Sequence, residues 1–183
     1  MAMTFDIARR PFQSATTSPG PDMEAWEQSL GISLPADYRE FMLTFNGGSL
    51  RPFAFDLSIP DWDFTDKVHA LNYLFDWKEV GKRSQWRMEP PLRNIPPDRL
   101  AIGSTISELT LTLSTDSGRF GAIDAWLRDT FNVWGEGGNT RVLPVAPSFS
   151  AFLAMLHDSA DTYHHFWVDF DGDGEIARQV TLP

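Results

Sequence analysis

The chain has no cysteine. That excludes disulfides, iron–sulfur clusters, thiolate zinc sites and cysteine nucleophiles together, and it fits a reducing compartment. No apolar run approaches the length that spans a bilayer. The start, Met1-Ala2-Met3-Thr4-Phe5-Asp6, lacks both the basic region and the apolar core of a signal peptide, so a cytoplasmic chain is expected. Basic residues are scarce: 15 Lys and Arg stand against 25 Asp and Glu, a formal net charge of −10. Nucleic acid and anionic membranes are therefore poor partners and a basic protein is a good one.

Catalytic signatures are missing too. The four histidines, His69, His157, His164 and His165, form no H-E-x-x-H spacing, and there is no G-x-S-x-G or Walker loop. Gly135-Glu136-Gly137-Gly138 is glycine-rich but acidic, which repels phosphate, so it reads as a surface turn. Asp61 and Asp63 have the chemistry for general acid/base work, but nothing beside them in the sequence shifts a carboxyl group toward it. A non-catalytic protein is the reading.

What is present suits an ordinary folded domain: 183 residues, 42% hydrophobic and 22% charged. A chain of this size buries roughly 70% of the surface its unfolded form exposes, enough for a core without staples. Residues 1–21, with Pro11, Pro19, Gly20 and Pro21, read as a flexible arm. Residues 22–183 read as one domain with an acidic C-terminal extension from about 158, where six acids face only Arg178. Residues 56–76 hold five acids against Lys67, whereas Lys78 to Arg93 is locally basic. Solubility alone accounts for such acidic stretches equally well.

The most organised stretch is Gly31 to Gly48. Asp22 is placed to cap a short helix, Met23 to Leu30, that Gly31 ends. Pro35 then opens a second helix to about Phe45, because its missing N–H costs nothing there. Tyr38, Phe41, Met42 and Phe45 form one apolar stripe, and Met23, Trp26 and Leu30 form another that is expected to pack on it as a helical hairpin. Asp37 and Glu40 sit near the positive end of the second helix. Asn46-Gly47-Gly48 supplies residues that tolerate positive φ where the chain must turn.

Later segments alternate between turn and strand signals. Phe53 and Phe55 mark a short strand, Pro60 to Asp63 a turn or loop, and Val68 to Phe75, apolar on both sides, a buried central strand with a helix as the other reading. Lys78 to Met88 reads as a surface helix, and Pro90-Pro91 and Pro96-Pro97 bracket a loop. Leu100 to Ile102, Glu108 to Leu113 and Arg119 to Trp126 are strand-like, with a turn at Asp116-Ser117-Gly118. In the middle one Leu109, Leu111 and Leu113 alternate with Thr110 and Thr112, which predicts one buried and one polar face. Trp134 to Gly138 is a loop, Arg141 to Val145 a strand, and Ser148 caps a helix through His157 whose inward stripe is Phe149, Phe152, Leu153 and Leu156. The fold class is α+β, a mainly antiparallel sheet flanked by an N-terminal helical hairpin and a C-terminal helix.

A helix ending in Leu30-Gly31, then I-x-L-P-x-D-Y-R-x-F from Ile32 to Phe41, then Asn46-Gly47-Gly48, resembles the N-terminal signature of the SUKH superfamily. That superfamily includes fungal cell-wall synthesis regulators and many bacterial immunity proteins. Leu100 to Gly103 resembles its strand before the central hairpin, Gly121 to Trp126 the strand after it, and Val145 to Leu153 its closing helix. The resemblance covers roughly residues 22–157. The hairpin Ser104 to Leu113 departs from the pattern, lacking the glycine pair expected before its second strand.

Asp169-Phe170-Asp171-Gly172-Asp173-Gly174-Glu175-Ile176 follows the first half of a calcium loop, with oxygen ligands Asp169, Asp171, Asp173 and Glu175 at alternate positions. The second half fails, since Val180 stands where the bidentate glutamate belongs. A solvated acidic tail, or a hairpin between Trp167 to Phe170 and Ile176 to Val180, accounts for the segment as well. No cofactor is expected beyond a weak calcium site.

The resemblance implies a non-catalytic protein that neutralises a toxin by occlusion, and the charge suits a basic nuclease target. The alternative is an endogenous regulatory or scaffold module. A third, a metal-dependent hydrolase using the acidic loop, has the least support. Charge and aromatic character nominate Asp61, Trp62 and Asp63, with Asp124, Trp126 and Asp129 from the central sheet, as partner contacts.

Overall fold

The computed structural model describes residues 3–8, 22–59, 67–85, 95–106, 109–127, 141–158 and 176–182. Asp22 caps α1 (Met23–Leu30), its carboxylate accepting from the N–H groups of Glu24 and Ala25, and Gly31 ends the helix at φ 68°. α2 (Ala36–Thr44) begins behind Pro35 and buries Tyr38, Phe41 and Met42, the stripe its periodicity predicts. Asn46, Gly47 and Gly48 then turn the chain at φ 55°, 82° and 125°. A β-carbon on Gly47 would lie 2.7 Å from the backbone of Leu74 and Phe75, so glycine is needed there for space as well as for conformation.

Six strands follow: β3 (Ala54–Asp56), β4 (Val68–Leu74), β5 (Arg99–Thr105), β6 (Thr110–Ser114), β7 (Ile123–Leu127) and β8 (Arg141–Ala146). Each pairs antiparallel with the next in sequence, so the sheet is a meander in the order β3-β4-β5-β6-β7-β8. α3 (Trp77–Gln85) connects β4 to β5, and α4 (Phe149–Met155) follows β8. The mixed α+β architecture is the one read from the sequence.

The helices share their apolar stripes with later elements. Phe149 of α4 stacks on Tyr38 and Phe41 of α2 at centroid distances of 5.0 Å each, while Trp26 of α1 lies against Gly81 of α3. Asp37 ties the two helix starts together, its carboxylate accepting from both the N–H (2.8 Å) and the hydroxyl (3.0 Å) of Ser150. Glu27 joins α1 to α2 by accepting from the N–H of Leu34 (2.7 Å) and lying 3.5 Å from Arg39.

Several expectations are corrected. Met3–Ala8, read as part of an arm, is β1, the central strand of a second sheet ordered β2-β1-β9, with β2 at Ser49–Arg51 and β9 at Ile176–Leu182. The period-2 pattern of M-T-F-D-I-A is a strand signal that the Pro- and Ser-rich stretch behind it obscured. β9 pairs with β1, Val180 opposite Phe5, and the other half of the hairpin considered for it, Trp167 to Phe170, lies outside the described residues. In β6 both faces are buried, Thr110, Thr112 and Ser114 included, so alternation there separates two interiors rather than inside from outside. α4 stops at Met155 because Leu156 is extended, and His157 instead exchanges backbone hydrogen bonds with Ala54 (2.9 and 3.0 Å). The turn at 60–63, the loop at 134–138 and the helix positions 86–88 lie outside the described residues.

Tyr38 is fully buried and, among the described residues, its hydroxyl has no hydrogen-bond partner. Burial pushes its pKa well above the ordinary phenol range. The folded state therefore holds a proton that the unfolded chain releases above about pH 10, so ionisation of this residue costs no stability below that pH. Above it, stability falls by about 1.4 kcal/mol per pH unit. Tyr38→Phe removes an unsatisfied buried group. It is expected to leave stability unchanged or raise it by about 1 kcal/mol at neutral pH, and to flatten the alkaline loss. Urea unfolding of both proteins at about pH 7 and pH 11 checks this, because the difference between them must widen at the higher pH.

Candidate partner-binding surface

The turn between β6 and β7 is held almost entirely by its own backbone. The carboxylate of Asp116 accepts from the N–H of Gly118 (3.0 Å), the carbonyl of Asp116 from Arg119 (3.1 Å), and the carbonyl of Arg119 from Ala122 (2.9 Å). Gly121, at φ 85°, sits against Pro35 at the start of α2 and donates to the carbonyl of Ser114. The chain conformation leaves Arg119 and Phe120 facing outward. Phe120 is 47% exposed and, with Leu43, is one of two large apolar side chains left open among the described residues. Beside it runs a groove of about 570 Å³, lined by Gly118, Arg119, Phe120, Pro144, Val145 and Pro147 among others.

Beneath this turn lies a buried charge cluster. Asp124 of β7 is fully buried. One of its oxygens accepts from Arg99 of β5, which reaches across β6, and the other accepts from Arg119 at 2.8 Å. Thr112 of β6 donates its hydroxyl to the Asp124 carbonyl at 3.3 Å. The two cations differ in setting: the Arg99 side chain is 10% exposed and that of Arg119 41%. One carboxylate thus serves two guanidinium groups, and of the two Arg119 is the one that reaches the surface.

A family model for the SMI1 / KNR4 family (SUKH-1) matches residues 21–155, most of the chain. The chain belongs to the SMI1 / KNR4 (SUKH-1) family. No curated protein and no solved structure matches it. The match spans α1 through α4, so it takes in the whole six-stranded meander together with the Phe120 turn. The SUKH family includes both immunity proteins and regulators. Among the described residues no helix is long and apolar enough to cross a membrane.

Within this SUKH domain the nominated contact residues separate sharply. Asp61, Trp62, Asp63 and Asp129 lie outside the described residues. Asp124 and Trp126 are buried, at 0% and 3% exposure, which corrects their nomination as surface contacts: they hold the sheet together and offer a partner nothing to touch. Acidity and aromaticity nominated them, but strand alternation turned them into an interior that is partly polar. The calcium-loop residues Asp169, Asp171, Asp173 and Glu175 also lie outside the described residues. Ile176 to Val180, the last five positions of that twelve-residue loop pattern, lie in strand β9. Among the described residues no group of three or more histidines and carboxylates is placed to hold a metal ion. Sequence reasoning missed Arg99, Arg119 and Phe120. For Phe120 a signal exists, since a phenylalanine between Gly118 and Gly121 falls in a tight turn, where no core is within reach.

Proposed function

We propose that this SUKH domain is a non-catalytic protein-binding domain, an immunity protein that neutralises a toxin by occluding it, with a basic nuclease domain as the fitting target. The observation that carries the reading is the excess of acid, a net charge of −10, on a member of a family that includes immunity proteins. A nuclease that binds nucleic acid presents a cationic face, and an acidic protein copies the charge of its substrate. Asp61, Trp62, Asp63 and Asp129 stay as proposed contacts, while Asp124 and Trp126 are buried in the sheet.

Adding the purified chain to a cationic nuclease domain encoded beside its own gene is expected to abolish cleavage at one-to-one stoichiometry, with the nuclease intact and active again after separation. Cleavage unaffected by excess chain would remove the immunity reading. The regulatory alternative rests on the family's other members, and reproducible stoichiometric capture of host proteins with no effect on any such nuclease would favour it.

A further inference from the structure

We propose that the groove beside Phe120 anchors a protein partner, and that it takes an extended segment carrying a bulky apolar side chain next to a carboxylate. The inference rests on the protein-binding reading and gives it a place on the molecule. Leaving a phenylalanine 47% exposed forgoes burial worth roughly 1 kcal/mol, so its position calls for something to cover it. The turn that presents it is already ordered by four hydrogen bonds, at Gly118, Arg119, Gly121 and Ala122. An anchor fixed in advance loses little entropy when a partner arrives.

The chemistry of the walls selects the occupant. Phe120, Pro144, Val145 and Pro147 supply apolar surface, and among the described residues Arg119 is the only charged one in the lining. Its guanidinium is held by Asp124, a carboxylate it shares with Arg99, and its side chain is 41% exposed, so Arg119 presents a cation at the groove. Asp116 is the nearest acid on the turn, and its carboxylate is engaged by the N–H of Gly118. An apolar side chain beside a carboxylate satisfies both walls, and phenylalanine and arginine are the residue types that dominate contact energies. β8, one of the two edge strands of its sheet among the described residues, borders the groove, but Pro144 and Pro147 lack N–H groups. Docking by side chains is therefore favoured over addition of a strand. The overall negative charge and this local positive charge act at different ranges: the first draws in a basic protein, the second holds one segment of it.

The test is to pan a random peptide display library against the full-length chain and measure the enriched peptides by calorimetry. Titrations with wild type, Phe120→Ser and Arg119→Gln compare the two walls. Enriched peptides are expected to place Asp or Glu beside Leu, Phe or Trp, and to bind at least tenfold more weakly to each variant. Because Phe120 is only half-buried, Phe120→Ser is expected to cost about 1 kcal/mol and to stay folded under the titration conditions, which its unfolding curve checks, so lost binding is not lost folding. Absence of enrichment, a consensus without an acid, or equal binding to Phe120→Ser would each overturn the proposal. Its fate is separable from the immunity reading. Peptides that depend on Phe120 would stand even if no nuclease is inhibited, and inhibition indifferent to Phe120→Ser would sink the groove alone.

Discussion

Asp124→Ala is expected to lower the stability of the domain by about 3–5 kcal/mol, the cost of removing the carboxylate from a buried ion pair. The residue is fully buried and serves two arginines, so its loss strands charge in a sheet interior that water does not reach. The arginines should respond unequally. Arg119 is 41% exposed and can turn to solvent, so Arg119→Ala costs about 1 kcal/mol or less. Arg99 is almost covered, and its replacement leaves the buried carboxylate with a single, partly solvated partner. Replacing Asp124 and Arg99 together by apolar residues of similar volume is expected to recover much of the loss of Asp124→Ala, because the uncompensated charge disappears. Chemical denaturation of the single and double variants reads all of this. A loss below about 1 kcal/mol for Asp124→Ala would mean that the cluster is not the buried pair described.

Phe149→Ala is expected to cost about 3–5 kcal/mol as well, for a different reason. Phe149 is 1% exposed and packs on Tyr38, Phe41 and Phe152, so truncation opens a cavity where α2 and α4 meet. α4 has only seven residues, too few to stay helical without docking, and Ser148 caps it by accepting from the N–H of Ala151. Weaker docking should therefore raise hydrogen exchange in α4 more than in β5 to β7. Uniform protection with a small loss of stability would show that α4 is held mainly by Asp37 and Ser150.

The first two helices were legible because their signals are local. A capping aspartate, a helix-opening proline, a 3.6-residue stripe and a glycine stop all act within one turn of themselves. The mainly antiparallel sheet was legible for a related reason: its strands pair with sequence neighbours, so no long-range choice had to be made. β1 and β9 were not, since pairing Met3–Ala8 with Ile176–Leu182 joins the two ends of the chain, and no local pattern states a partner. The interior of the sheet misled in a different way. Thr112 and Asp124 read as solvent-facing on polarity alone, yet a polar face can be buried when an arginine two strands away neutralises it. The same error placed Asp124 and Trp126 among the contacts and left out Arg119 and Phe120, whose exposure is a property of turn geometry rather than of residue type.

Electrostatic attraction to a basic protein is the central claim, and the association rate constant as a function of salt tests it most directly. Stopped-flow mixing of the full-length chain with a cationic nuclease domain that it inhibits should give a rate near 10⁸ M⁻¹s⁻¹ at low ionic strength, an order-of-magnitude figure for steered encounter, and roughly a hundredfold fall as salt is raised. Dissociation should change much less over the same range. A rate constant near about 10⁵ to 10⁶ M⁻¹s⁻¹ that salt leaves unchanged would contradict the account, because a net charge of −10 would then play no part in bringing the two proteins together.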